Sequence, residues 1–190
     1  IRLDGYPLAI EMAATEVKFL GLSGVLARLR GETKPTKSGL GHEMQAVIEK
    51  HRGELAVDER QVLERLAVFC GPFGLEDAVQ VCAGSDLSAS TIINGLASLV
   101  HRSFVTRSRN GDSIRYRIPA HLRHHFHQAL RVSGANAALD ARHVRWALAQ
   151  AEEANDALPR LPRAEFLESY GELADDLCQA VDYAISEASE

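Results

Sequence analysis

No stretch of this 190-residue sequence stays apolar for anything near the roughly 18 residues a bilayer-crossing helix needs, and no basic segment followed by an apolar one opens it. Neither a membrane partner nor a secretory leader is expected. Cysteine is scarce: Cys70, Cys82 and Cys178 are widely spaced among aliphatic residues. An odd, scattered set is no disulfide framework and reads as buried thiols in a reducing, bacterial-type cytosol, so the protein is expected to be cytoplasmic. Also missing are the phosphate-cradling GxxxxGK[ST] and GxGxxG, a nucleophile elbow and any CxxC. No residue is therefore assigned as catalytic or as a metal ligand. What is there is ordinary for a folded protein, 46% hydrophobic, 25% charged and 6% aromatic, enough chain for one large or two small domains. The chain opens Ile1-Arg2-Leu3 without Met and runs straight into a helix signal, as expected of a piece of a longer polypeptide.

Acid is almost absent from one stretch. Residues 102–131 hold seven arginines (102, 107, 109, 115, 117, 123 and 131) and one acid, Asp112, a local charge of +6 in a chain whose net is -5. The remainder therefore carries -11, and one end of the molecule is expected to be positive.

Three segments follow from periodicity. In the first, Ile10, Ala13, Ala14, Val17 and Leu20 recur at helical spacing after Gly5-Tyr6-Pro7. Ser23 is expected to cap a second short helix bearing Leu22, Val25, Leu26 and Leu29. Residues 31–41, rich in Lys, Thr, Ser, Gly and Pro, form a linker. The second segment, 42–132, orders helices around Met44, Val47 and Ile48, then from an Asp58–Gln61 capping box through Val62, Leu66 and Phe69, then Leu75, Ala78, Val79 and Cys82. A further helix starts at Ser88 or Ser90, with Ile92 or Ile93, Leu96 and Val100 as its stripe. The period then changes to 2. Phe104-Val105-Thr106, a turn at Asn110-Gly111, and Ile114, Tyr116 and Ile118 alternating with Arg115 and Arg117 predict a hairpin with one apolar face. A closing helix turns Leu122, Phe126, Ala129 and Leu130 inward and His121, Arg123, His124 and Gln128 outward. Helices followed by a hairpin describe a winged-helix domain.

The third segment, 137–190, carries one helix with Val144, Leu148 and Ala151, a break at residues 158–162, and a last helix with Leu173, Leu177, Ala180, Val181 and Ala184. Paired helices of this length build tetratricopeptide-like arrays. The fold class expected is thus mainly α: a winged-helix domain with one β-hairpin, flanked by an amino-terminal helical segment (1–34) and a carboxy-terminal TPR-like helical pair.

In their order, these residues resemble a family. Residues 3–14, LDGYPLAIEMAA, look like the GxP motif of the signal-transduction ATPases with numerous domains (STAND), in the branch found in large bacterial regulators. Residues 63–73, LERLAVFCGPF, are similar to the start of that family's winged helix, and 96–105, LASLVHRSFV, to its middle. Tyr116-Arg117-Ile118, Arg123 and Phe126 resemble its end, and residues 173–184 the first helices of the repeat region beyond. The resemblance implies a molecular switch whose ATPase domain lies upstream in cis, with ATP or ADP bound in the full-length parent and none bound tightly by this piece. It implies that Pro7, supported by Gly5 and Leu8, packs on the nucleotide base. It also implies an unidentified ligand or protein at the repeats and DNA reached through an output domain. One position departs from the pattern: where related switches place a His after the second wing strand to reach the β-phosphate, this sequence has Pro119, which can donate nothing.

Other constellations compete. Arg107 and Arg109 near the wing tip, Arg115 and Arg117 on its outer face, and Arg102 could line up on DNA phosphates or meet a nucleotide phosphate, and could equally dock on the acidic remainder of the protein. The helix that would enter a groove offers base edges only Asn94, Ser98, His101 and Arg102. This leaves a stand-alone winged-helix DNA-binding regulator as the alternative function. His121, His124, His125 and His127 read as solvated histidines adding charge at low pH, with no third ligand to complete a zinc set. Trp146 is expected to pack on a neighbouring helix, and the carboxylate pairs Glu152-Glu153 and Asp175-Asp176 to be exposed charge.

Overall fold

The computed structural model describes residues 10, 14, 17, 21–27, 48–49, 51–110, 113–132 and 137–187. The chain divides into two compact units, Ile1–Ala56 and Val57–Glu190. In the first, residues 21–27 are helical and Val25, Ile48 and Leu55 are buried. Ser23 lies inside that helical run and does not cap it, and Leu22 is exposed, so the stripe runs through Val25. Helical residues at 48–49 and 51–53 agree with the helix expected around Ile48.

The second unit is helical with one hairpin. Helix α1 (Val57–Leu66) begins one residue before Asp58, so Asp58 and Glu59 sit in its first turn, where carboxylates suit the exposed N–H groups and the helix dipole, and Asp58 is not the cap. Its inward face is Val62, Leu63 and Leu66. Helix α2 (Leu75–Cys82) opens on Gly74, whose N–H donates to Asp77 Oδ2 at 2.7 Å, and buries Ala78, Val81 and Cys82 while Leu75 stays exposed. Two arginines close its far end: Arg65 Nη1 donates to the Cys82 carbonyl at 2.8 Å and Arg142 Nε to that of Val81 at 2.6 Å. They satisfy carbonyls the helix leaves orphaned and place cations at its negative end.

Helix α3 (Ala89–His101) is capped by Ser88, whose hydroxyl accepts from the Thr91 N–H at 3.2 Å. Ile92, Leu96 and Leu99 face inward and Ile93 outward. Its packing on α1 depends on Gly95: a Cβ there would stand 2.9 Å from Val62 Cγ2. The helix ends in a Schellman motif, with the Ser103 N–H on the Val100 carbonyl at 3.1 Å and the Phe104 N–H on that of Leu99 at 2.9 Å. That motif sets Ser103 at φ 64.

Strands β1 (Thr106–Asn110) and β2 (Ser113–Arg117) pair antiparallel. Phe73 adds one isolated rung, its N–H donating to the Tyr116 carbonyl at 2.9 Å and the Tyr116 N–H donating to the Phe73 carbonyl at 2.8 Å. Helix α4 (Ala120–Val132) buries Leu122, Phe126 and Leu130. Long helix α5 (Ala137–Ala157) packs on α2 and on α7 (Ala174–Glu187), with α6 (Arg163–Tyr170) and a 3-10 turn (Gly171–Leu173) between. The inward face of α5 is Leu139, His143, Trp146, Ala147 and Ala154. Val144 and Ala151 lie at its margin and Leu148 is exposed, so the aliphatic stripe expected there is displaced by one position. The reason is chemical: the buried stripe contains an imidazole and an indole that find polar partners inside.

Candidate functional site

The loop leaving α1 brings the two halves of the second unit together. Phe69 and Phe73 stack with centroids 4.5 Å apart, and Phe69 meets the edges of Trp146 at 5.0 Å and His143 at 5.8 Å. This apolar clasp leaves the N–H groups of Cys70 and Gly71 pointing at α7. Both are taken by one carboxylate: Asp176 Oδ1 accepts from Cys70 N at 2.7 Å and Oδ2 from Gly71 N at 2.8 Å, while His143 Nε2 lies 2.9 Å from Oδ1. Gly71 is required here, because a Cβ would sit 2.7 Å from the Glu172 carbonyl and 2.9 Å from Asp176 Oδ2. The exposed charge expected at Asp175-Asp176 is therefore corrected for Asp176, which is buried, while Asp175 is exposed. A carboxylate survives burial only when its oxygens are hydrogen-bonded, and these are.

Beside it, Gln179 Nε2 donates to the Val68 carbonyl at 2.8 Å and its Oε1 accepts from Cys70 Sγ at 3.1 Å and Arg123 Nη1 at 3.3 Å. Arg123, expected to point outward, reaches inward to this cluster, 3.2 Å from Cys70 Sγ. Burial, with the nearby Asp176 carboxylate, pushes the Cys70 thiol up to about 11, Arg123 offsetting part of it. Burial pushes Cys82 up to about 12. Neither thiol is an activated nucleophile. Cys178, also expected to be buried, is exposed.

A second knot ties the wing to α2 and α5. Asp77 Oδ1 accepts from Trp146 Nε1 at 2.9 Å, and Oδ2, already taken by Gly74 N, lies 3.3 Å from Arg115 Nη1. Trp146 packs as expected, and its N–H carries the polar half of the contact. Arg117 Nη2 meets Glu172 Oε1 of the 3-10 turn at 2.6 Å.

The register separates the four wing arginines. Arg107 faces Tyr116 and Arg109 faces Ile114 across the ladder, whereas Arg115 faces Ser108 and Arg117 faces Thr106. Paired residues share a face, so 107 and 109 lie on one side and 115 and 117 on the other. The outer face expected for Arg115 and Arg117 is thus corrected: they turn toward α2, α6 and the 3-10 turn, while Arg107, Arg109 and Ile114 are exposed together. The apolar face expected of the hairpin is correspondingly incomplete, since Ile114 is 43% exposed. On α3, Ser98 Oγ donates to Glu59 Oε1 and Arg102 Nε lies 3.7 Å from the same oxygen. Of the four base-reading candidates, Asn94 and His101 face outward with no bond of this kind shown among the described residues. Gly5, Pro7 and Leu8 lie outside the described residues, as does the side chain of His121.

The pairing of His143 with Asp176 had a signal in the sequence. His143 stands four residues from both Leu139 and Ala147, and Asp176 three from Leu173 and four from Ala180, so each polar residue interrupts an apolar stripe on one of two adjacent helices. Glu59, Asp77 and Glu172 had none, because a solvated acid and a bonded one look alike in sequence.

Among the described residues no helix is long and apolar enough to cross a membrane. No solved structure matches the chain. An uncharacterized protein of Mycobacterium tuberculosis is 32% identical over 149 residues, covering 75% of this chain and 38% of the relative. A second protein of that organism, named "Putative HTH-type transcriptional regulator", is 33% identical over 149 residues, covering 75% of this chain and 17% of its own length; Mycobacterium bovis has a counterpart at the same identity. The chain thus spans well under half of the curated relatives it matches. Residues 55–131 match the family described as a winged helix-turn-helix domain, and the order α1, the Phe73 rung, α2, α3 and the β1–β2 wing is consistent with a winged helix.

Proposed function

We propose that the chain is the regulatory segment of a STAND-type signal-transduction ATPase that acts as a transcriptional regulator. In this reading residues 1–34 end the nucleotide-binding region, 42–132 are the winged helix and 137–190 begin a TPR-like repeat region. The observation that carries it is Asp176, which holds the α1–α2 loop of the winged helix to the first helices beyond it. A ligand or protein pulling on the repeats would move the winged helix with them rather than bend a linker. That coupling is what a sensor needs in order to shift an ATPase between closed and open arrangements, provided the ligand binds one arrangement better. The upstream ATPase domain is the partner in cis, ATP or ADP its cofactor, and Gly5, Pro7 and Leu8 its contacts in this chain.

The test is binding of fluorescent ADP to the longer polypeptide this reading requires. Pro7→Ala is expected to weaken ADP about tenfold, the loss of one well-packed apolar contact. Unchanged affinity removes Pro7 from the site, and a polypeptide that binds no nucleotide removes the ATPase.

A second reading, direct DNA binding by the wing, is favoured by one observation: Arg107 and Arg109 are exposed on one face, with no ion pair shown to either among the described residues. It predicts duplex affinity that falls steeply with salt.

A further inference from the structure

We infer that the recess under the wing is a binding site for a small phosphomonoester, an effector site that goes beyond the switch reading and does not depend on it. The recess lies between the inner face of the hairpin and the α5–α6 side of the unit, and Arg115, Arg117 and Ser108 from the wing line it together with Gln150, Ser169 and Glu172. Arg115 and Arg117 are two residues apart on one strand face and leave the backbone about 7 Å apart, Arg115 reaching Asp77 and Arg117 reaching Glu172.

The acids of the recess differ in what they leave free. Asp176 already accepts from Cys70 N and Gly71 N and meets His143, and Asp77, beside the recess, accepts from Gly74 N and Trp146 Nε1 and also pairs with Arg115 at 3.3 Å. Arg115 therefore shares a carboxylate whose charge is already divided. Among the described residues the ion pair shown for Arg117 is to Glu172, a side chain 64% exposed at the mouth, and Glu168 also lines the recess. A planar guanidinium fork, with one ion pair shown to it among the described residues, matches the oxygens of a phosphate, which can be held by two forks at once. Ser108, Ser169 and the Gln150 amide supply neutral partners for the hydroxyls of an attached organic part.

Occupation has a mechanical consequence. The phosphate would take Arg117 from Glu172, which is the tie between the wing and the 3-10 turn, and so loosen the wing from the carboxy-terminal helices without touching the Asp176 knot. Glu172 is in this sense the resident competitor of the ligand.

The experiment is calorimetric titration of the full 190-residue chain with glycerol 3-phosphate and, separately, inorganic phosphate at constant ionic strength. Saturable binding at one site per chain is expected for both, at least about tenfold weaker in Arg115→Ala and Arg117→Ala and about threefold or more tighter in Glu172→Gln. Arg117→Lys, which keeps the charge and loses the fork, guards against a folding defect and is expected to weaken binding while leaving the Trp146 emission unchanged. Binding of glycerol 3-phosphate and not of phosphate still supports the site and assigns the organic part a share. No saturable binding, equal binding in the Arg115 and Arg117 variants, loss in Arg107→Ala/Arg109→Ala instead, or no gain in Glu172→Gln overturns the proposal.

Discussion

His143 on α5 and Asp176 on α7 meet at 2.9 Å with 2% and 1% of their side chains exposed. The same carboxylate receives two backbone N–H groups of the winged helix, so one side chain joins three parts of the unit. Removing one partner of a buried, hydrogen-bonded pair costs roughly 3–5 kcal/mol, because the others are left dry and unpaired. Asp176→Ala should lower the urea midpoint accordingly with little change in slope, and an effect below about 1 kcal/mol would mean that water replaces the carboxylate.

Gly95→Ala should destabilise although alanine is the better helix former. Its Cβ would press on the branched Val62 side chain at 2.9 Å, an overpacking cost of about 1–3 kcal/mol against a propensity gain of about 1 kcal/mol. Val62→Ala should absorb much of the clash, so that thermal denaturation of the double variant shows less loss than the sum of the singles.

Ser103→Gly should stabilise the protein by about 0.5–1 kcal/mol, since a residue with a Cβ occupies the left-handed position at φ 64 that closes α3. A rise in melting temperature is the readout. Loss of stability would show that the buried Ser103 side chain contributes more than the backbone strain costs.

The thiols should differ in reactivity. At pH 8 iodoacetamide is expected to modify exposed Cys178 first and Cys70 and Cys82 slowly, with all three reacting after unfolding; mass spectrometry of the modified peptides resolves them. Folding holds the Cys70 and Cys82 protons up to about 11 and about 12, above the ordinary value of 9.0. The folded state thus keeps protons that the unfolded state releases, and this contribution to stability is intact below about pH 9 and lost as pH rises toward 12.

The wing arginines offer a test of the second reading. If the chain binds duplex DNA, Arg107→Ala/Arg109→Ala should reduce the salt slope by about 2, and Arg115→Ala/Arg117→Ala should change it little. The reverse order would mean that the inner face of the hairpin opens.

Much of the fold is legible in the sequence because it rests on local signals. The Ser88 cap, the Leu96 stripe and the change of period at Thr106 each declare an element within a few residues. On α5 the sequence offers two stripes at helical spacing, and the more apolar one through Val144 and Leu148 lies farther out than the one through His143. What decides that face is Asp176, 33 residues away on another helix, and Asp77, which takes the Trp146 N–H. The split of the wing arginines was within reach: alternation alone puts Arg107 with Arg109 and Arg115 with Arg117, and only the pairing register says that the two sets oppose.

In the proposed switch the winged helix and the helices after it move as one body and thereby hold a nucleotide-bound ATPase closed. The most direct measurement is the rate of ADP release from the longer polypeptide, wild type against Asp176→Asn, with Trp146 emission confirming that the fold is retained. Release is expected to be about tenfold faster or more in the variant, as the repeats lose their grip on the winged helix. Equal rates would contradict the coupling, and a polypeptide carrying no ADP would contradict the switch itself.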